Sequence, residues 1–245
     1  MSNDLRWNVS TDDPNNLSTV KERMMRLARI RSGSKLDRIE YLTTLAKGKN
    51  VLDVGVVEHS RNFVNSPTWL HQYIAKASRE CLGVDILRDE IEYIRSLGFN
   101  VQCHDLTQSP MNYSFELIIC GEVLEHIDAP GMFLKNLAEM LIPNGTIVIT
   151  VPNPWYINAS LKSSFGRNPF VDSVDHVAWY DAATLMELGS RCGLKLTKYT
   201  YFNIGIASFR SFKANIMFFL KPLWLALGCK PELFSKTLVY EFQRN

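Results

Sequence analysis

Asn50-Val51-Leu52-Asp53-Val54-Gly55 is the stretch that decides the fold: a short apolar run closed by an acidic residue and a glycine. Consecutive apolar positions, as opposed to alternating ones, mark a strand buried on both faces, as strands of parallel sheets are. Upstream, a helix can start at Asn16 or Ser18, with Val20, Met24, Leu27 and Arg31 three or four apart. Ser34 is placed to cap a second helix carrying Leu36, Ile39, Leu42 and Leu45, which Gly48 ends. Downstream, Ser66-Pro67 offers a cap and a first-turn proline for a helix through Trp69, Leu70, Tyr73 and Ile74. Strand 81–85 follows, then a helix over Ile91, Ile94 and Leu97, and strands 101–103 and 115–120. Asp128-Ala129-Pro130 opens a helix with Phe133, Leu134 and Leu137 inward, and Pro143-Asn144-Gly145 turns into strand 146–151. Strands alternating with amphipathic helices specify βαβ units, right-handed crossovers and a parallel sheet.

In such a sheet a ligand binds at the carboxyl ends of the strands near the switch in strand order. The strand ends read Asp53-Val54-Gly55, Gly83-Val84-Asp85-Ile86, His104-Asp105-Leu106 and Gly121-Glu122. Carboxylates at successive strand ends accept hydrogen bonds from a ribose diol and an exocyclic amine. They would repel a pyrophosphate, so an adenosine without phosphate fits better than a dinucleotide. The G-x-G-x-x-G that a pyrophosphate needs is also missing after the first of these strands.

Taken in order, VLDVG, LGVDI, CHDL, FELIICGEVLEHIDAP and LIPNGTIVITVPNP resemble the successive motifs of class I S-adenosylmethionine-dependent methyltransferases, from about Asn50 to Leu194. The resemblance implies a Rossmann-like α/β fold: a mostly parallel seven-stranded sheet with helices on both faces, an N-terminal helical cap and a C-terminal antiparallel hairpin. Residues 1–48 are then the arm and cap, and 49–245 the methyltransferase domain. The implied cofactor is S-adenosylmethionine. Asp53 and Gly55 would shape the loop under its methionine end, and Asp85, with Ile86 beside it, would meet the ribose. Asp105 and Leu106 would lie at the adenine, and Gly121 and Glu122 near the transferring methyl.

One departure is plain: Val57 and His59 stand where the family has its second and third glycines. Glycines there allow close backbone approach, so bulkier residues are expected to push the loop away from the ligand. Asp53 and Asp85 stand 32 positions apart, against roughly 20 in a compact first βαβ unit. Residues 58–65 therefore read as an inserted loop before a delayed helix, as in methyltransferases resembling those of bacterial surface-polysaccharide pathways. A module that has lost catalysis and only binds is the competing reading.

Residues 152–180, rich in Asn, Ser, Pro and aromatics, follow the strand ending at Val151 and are expected to form an acceptor lobe for a small molecule or saccharide. Trp155, Phe165 and Trp179 read either as stacking residues or as the core of a loop-rich cap. His176 is the preferred general base for an acceptor hydroxyl and His126 the alternative; either reads equally as a packing residue. Asp85 could be a helix cap and Asp105, followed by Thr107 and Ser109, plain turn chemistry.

The amphipathic stretch 206–230, with Arg210, Lys213, Lys221 and Lys230 among aromatics, is too interrupted to span a membrane. It reads as lying on a membrane surface or as buried against the domain or a second subunit, as in a homodimer. The chain is 46% hydrophobic and 21% charged, with a formal net charge of +2. That balance gives no global basic field, and no nucleic-acid partner is expected. The five cysteines show neither C-x-x-C nor metal-type spacing, and no metal ligands are assigned. The polar, acidic N-terminus is no signal peptide. The expected location is cytoplasmic, peripheral to the inner face of the membrane if 206–230 lies on lipid.

Overall fold

The computed structural model describes residues 11–58, 61–166, 168, 170–202 and 221–245. Eight strands form one sheet in the order β1-β7-β8-β6-β5-β2-β3-β4. They are β1 (Arg31–Ser34), β2 (Asn50–Val54), β3 (Glu80–Asp85), β4 (Val101–Cys103), β5 (Phe115–Gly121), β6 (Leu141–Pro152), β7 (Leu194–Phe202) and β8 (Thr237–Arg244). Only β8 runs against the rest, pairing antiparallel with β6 and β7. The α/β class, the predominantly parallel sheet and the C-terminal hairpin are as the sequence indicates. The eighth strand is new. Arg31–Ser34 adds to the sheet edge, parallel to Tyr199–Phe202 of β7. This strand has no apolar side chain, so backbone pairing alone creates it and no hydrophobic pattern announces it.

Alternate residues of the central strands serve opposite faces. Ile118 and Cys120 of β5 join Ile147, Ile149 and Val151 of β6 in one core cluster. Leu117, Ile119 and Val148 belong to a second. The first cluster is covered by α5 (Pro130–Glu139), through Phe133, Leu134 and Leu137, and by α7 (Ala182–Arg191), through Leu185 and Met186. Leu27 and Ile30 of α1 (Leu17–Ile30) also pack there. The second cluster is covered by α2 (Arg38–Ala46), through Tyr41 and Leu42, and by α3 (Leu70–Ala77), through Leu70 and Ile74.

Local chemistry sets the helix starts. The Asn16 side chain caps α1 by accepting from the amides of Ser18 and Thr19. For α2 the cap is Asp37, not Ser34: Asp37 and Glu40 form a reciprocal capping box. Ser34 ends β1 and accepts only from the Leu36 amide, at 3.1 Å. Nor does Ser66 cap α3. It makes a local turn with Thr68, and the helix begins at Leu70 because Trp69 is first drawn into the core, its indole N–H donating to the Val56 carbonyl at 2.9 Å. The remaining helices are α4 (Arg88–Ser96) and α6 (Ile157–Phe165), the latter in a stretch that the sequence reading leaves irregular.

No helix among the described residues is long and apolar enough to cross a membrane. Residues 206–220 of the amphipathic stretch lie outside the described residues, as does His59.

Candidate active site

Strand order switches at β2, which has β3 on one side and β5 on the other. A cavity of about 750 Å³ opens at the carboxyl ends of these strands, where such sheets bind ligands. Asp53, Gly55, Asp85, Ile86, Asp105, Leu106, Gly121, Glu122, His126 and His176 all line it. The fold therefore brings these ten residues into one space.

At the end of β2, Asp53 is buried and accepts from Nδ1 of the equally buried His71 at 2.8 Å. Gly55 follows with φ +78°, and a Cβ placed on it would overlap Val123 Cγ2. The glycine is thus required by backbone conformation and by the neighbouring turn. Beyond it, the Val57 end of the variant loop stays close to the strand ends. The Val57 amide donates to Asp85 Oδ2 at 3.0 Å, and Val56 packs with Phe63 and Trp69 in a third core cluster. Trp69 meets Phe63 and Phe99 with ring centroids 5.5 and 4.9 Å away. Apolar packing here pins a turn that glycines would otherwise let approach.

Asp85 at the end of β3 also accepts from the Leu87 amide at 3.1 Å. Burial raises its carboxyl pKa, opposed by backbone hydrogen bonds from Val57, Leu87 and Ile86. Each carboxylate oxygen has two lone pairs, so these bonds leave Asp85 further accepting capacity. Asp105 has its Oδ1 engaged by the Thr107 amide and hydroxyl at 2.9 and 2.6 Å. That hydroxyl bond holds the Asp105 carboxyl below its ordinary value. The turn reading of Asp105 is therefore realised, on the rim of the same cavity.

After β5, Glu122 sits at φ +59°, an uncommon conformation for a residue with a side chain. Its carboxylate accepts from the Thr237 hydroxyl at 2.8 Å and pairs with Arg38 at 3.3 Å. Arg38, from the first turn of α2, lies across Gly121, where a Cβ would stand 3.0 Å from its guanidinium. Three residues on, Glu125 is 2% exposed, and neither of its oxygens has a hydrogen-bond partner among the described residues. Burial pushes its carboxyl pKa up to about 8, opposed by its own backbone amide and by Arg38 and reinforced by repulsion from Glu122 and Asp175. The Glu125 carbonyl accepts from the Val177 amide at 2.9 Å, which fastens the segment carrying His176 to this turn. The rings of His126 and His176 stand 4.9 Å apart, edge to face. Asp175 lies 3.2 Å from His126 Nδ1.

Arg38, His71 and Glu125 were not among the sequence candidates. Arg38 and His71 reach the cavity by tertiary packing from α2 and α3, and no local pattern flags them. Glu125 had a signal, an acidic residue directly before His126 in the turn after a buried strand. Trp155 and Trp179 are exposed, as is Phe165 at 82%, and none of the three lines the cavity.

A family model described as "Methyltransferase domain" matches residues 27–199. A curated relative, the ubiquinone biosynthesis O-methyltransferase of Coxiella burnetii, is 32% identical over 128 residues, 49% of this chain and 50% of that protein. The chain thus spans about half the length of the curated relatives it matches. A solved S-adenosylmethionine-dependent methyltransferase from Archaeoglobus fulgidus superposes with a TM-score of 0.57 at 18% identity, covering 95% of this chain and all of that one. Magnesium protoporphyrin IX methyltransferase from Synechocystis, solved with S-adenosylhomocysteine bound, gives 0.53 at 13% identity, over 97% and 92% of the two chains. At these identities the structures speak for the fold, and the family model speaks for the lineage: the chain belongs to the methyltransferase-domain family and has the class I, S-adenosylmethionine-dependent architecture.

Proposed function

We propose that the chain transfers the sulfonium methyl of S-adenosylmethionine to a hydroxyl oxygen of a small-molecule acceptor. One observation carries this reading. Arg38 Nε, His71 Nε2, both Glu125 oxygens and His176 Nδ1 are buried without partners among the described residues, and all four residues line the switch-point cavity. An unsatisfied buried polar group costs about 1–3 kcal/mol, so a concentration of them marks a place where ligands complete the bonding. The cavity volume also falls within the roughly 300–1,000 Å³ typical of small-molecule sites.

The donor set fits the cofactor from end to end. Asp85 accepts from the ribose hydroxyls. Asp105 and Leu106 border the adenine, with Ile86 against it, and Arg38 offers the methionine carboxylate a cation. Gly55 and Gly121 keep the floor free of side chains, and Asp53 and Glu122 set a negative environment near the sulfonium. When bound, the cofactor supplies an electrophilic methyl group. The protein's task is then positioning and removal of the acceptor's hydroxyl proton, for which His176, His126 and Glu125 stand together. The printed names of the curated relatives favour oxygen as the acceptor atom.

Incubation with methyl-labelled S-adenosylmethionine and a panel of catechols, phenols and polyols tests the reading. The expected result is label in an alkali-stable ether, with one S-adenosylhomocysteine formed per methyl transferred. Cofactor binding without turnover on any hydroxylated acceptor would favour the binding-module reading.

A further inference from the structure

We propose that the buried pair of His71 and Asp53 holds a proton that a cationic cofactor displaces, so that His71 tunes the cavity for a charged ligand over a neutral one. Both side chains are nearly inaccessible, at 1% and 2% exposure, and His71 Nδ1 stands 2.8 Å from Asp53 Oδ2. No other hydrogen bond reaches the Asp53 carboxylate among the described residues. The ring gets there because β3 carries a glycine beside Asp53: a Cβ on Gly83 would stand 2.7 Å from His71 Cε1. Trp69 and Phe99 flank the ring, each with its centroid 5.5 Å away. The second ring nitrogen, Nε2, is buried with no partner among the described residues.

A carboxylate at this depth is costly unless a positive charge or several donors accompany it. His71 is its one hydrogen-bonding neighbour, and an imidazolium would balance its charge. Hydrogen bonding favours neither state of the ring, because Nε2 lacks an acceptor when it carries a proton and a donor when it does not. The charge on the ring is therefore governed by whatever else offers Asp53 a positive charge. Trp69 and Phe99 bring none. The other titratable groups that sense Asp53 are Cys81 on β3 and Cys120 on β5, whose thiols are pushed up by burial and by the Asp53 charge and stay neutral. The next step rests on the cofactor reading given above. The ammonium and sulfonium of S-adenosylmethionine outweigh its carboxylate by one positive charge, and Asp53 lines the cavity it would enter. With that charge supplied, the imidazolium gives up its Nε2 proton to solvent and keeps Nδ1–H on Asp53. S-adenosylhomocysteine has no sulfonium, is neutral overall and displaces less of the proton. The site thus separates the cofactor from its own product by charge. It does so more strongly as pH rises through the range in which imidazoles titrate, because Asp53 is then left unbalanced in the empty cavity.

Calorimetric titration of S-adenosylmethionine into the full chain, in buffers of unlike ionisation enthalpy, counts the protons released. The expected result approaches one proton per cofactor at about pH 6 and shrinks toward about pH 8, with a smaller release for S-adenosylhomocysteine. His71→Asn keeps a donor for Asp53 but cannot ionise. It should remove that release and flatten the rise with pH of the product-to-cofactor Kd ratio. Glu125 and Asp85, whose carboxyl pKa values burial raises, respond alike in both proteins, so the difference belongs to His71. A purely packing role for His71 would shift stability and both affinities but not the proton count. Should His71→Asn melt without cooperativity, imidazole nitrogen-15 shifts in the wild-type chain decide the matter: His71 should lose its Nε2 proton when cofactor is added. Equal proton counts in wild type and His71→Asn, or a ring whose protonation ignores the cofactor, overturns the inference. A chain that binds neither ligand sinks the cofactor reading along with it, whereas saturable binding with an unchanged proton count leaves that reading standing.

Discussion

Replacing Gly55 with alanine puts a side chain at φ +78°, and its Cβ into Val123 Cγ2. The left-handed backbone alone costs a non-glycine residue about 1–2 kcal/mol. Forcing an extra methyl into a packed contact adds about 1–3 kcal/mol. The sum, about 2–5 kcal/mol, is a large share of the 5–15 kcal/mol typical of a folded domain. The two contributions separate in a double-mutant cycle. In a Val123→Ala background the clash is relieved and only the backbone cost remains, so the coupling between the sites should be about 1–3 kcal/mol and favourable. Urea unfolding of the four proteins, with unchanged m-values, measures it. Additivity within about 0.5 kcal/mol would show that the turn after β2 is not held against the turn after β5. The packing that shapes the cavity floor would then be wrong. Cofactor affinity should fall in Gly55→Ala and be partly restored in the double mutant.

Asp37→Ala should destabilise the chain by about 1 kcal/mol in thermal or urea melts, because it removes a helix cap, whereas Ser34→Ala should change little. For Asp85→Ala, loss of a charge-assisted acceptor worth about 1.5–3 kcal/mol should raise the calorimetric Kd for S-adenosylmethionine roughly 10- to 150-fold; unchanged affinity in a folded variant would remove Asp85 from the ribose site. Arg38→Gln should weaken S-adenosylmethionine but leave 5′-methylthioadenosine, which has no carboxylate, binding as before, and equal loss for both ligands would contradict a carboxylate-binding role.

The parts of this molecule legible in its sequence are those governed by local apolar pattern. Runs such as residues 50–55 and 115–120 announce buried strands because both faces must be apolar, and the acidic residues closing them mark the strand ends. What was illegible depends on contacts between distant segments. Arg31–Ser34 becomes a strand only because the edge of β7 offers its backbone groups a partner. Val57 in place of a glycine suggested a displaced loop. Yet its amide still reaches Asp85, because Phe63, Trp69 and Phe99 hold the turn down from below. That packing is encoded in side chains up to about forty residues apart and has no period to detect. His176 could be proposed as a reactive residue from its neighbourhood in the chain. Its pairing with Glu125 and His126 required the Val177 amide to bond the Glu125 carbonyl, a join across fifty residues.

Whether the switch-point cavity is a cofactor pocket is decided most directly by isothermal titration of S-adenosylmethionine into the purified chain. One molecule should bind per chain, displaced competitively by S-adenosylhomocysteine and weakened by Asp85→Ala. A well-folded chain that shows no saturable binding of either ligand into the millimolar range would contradict it.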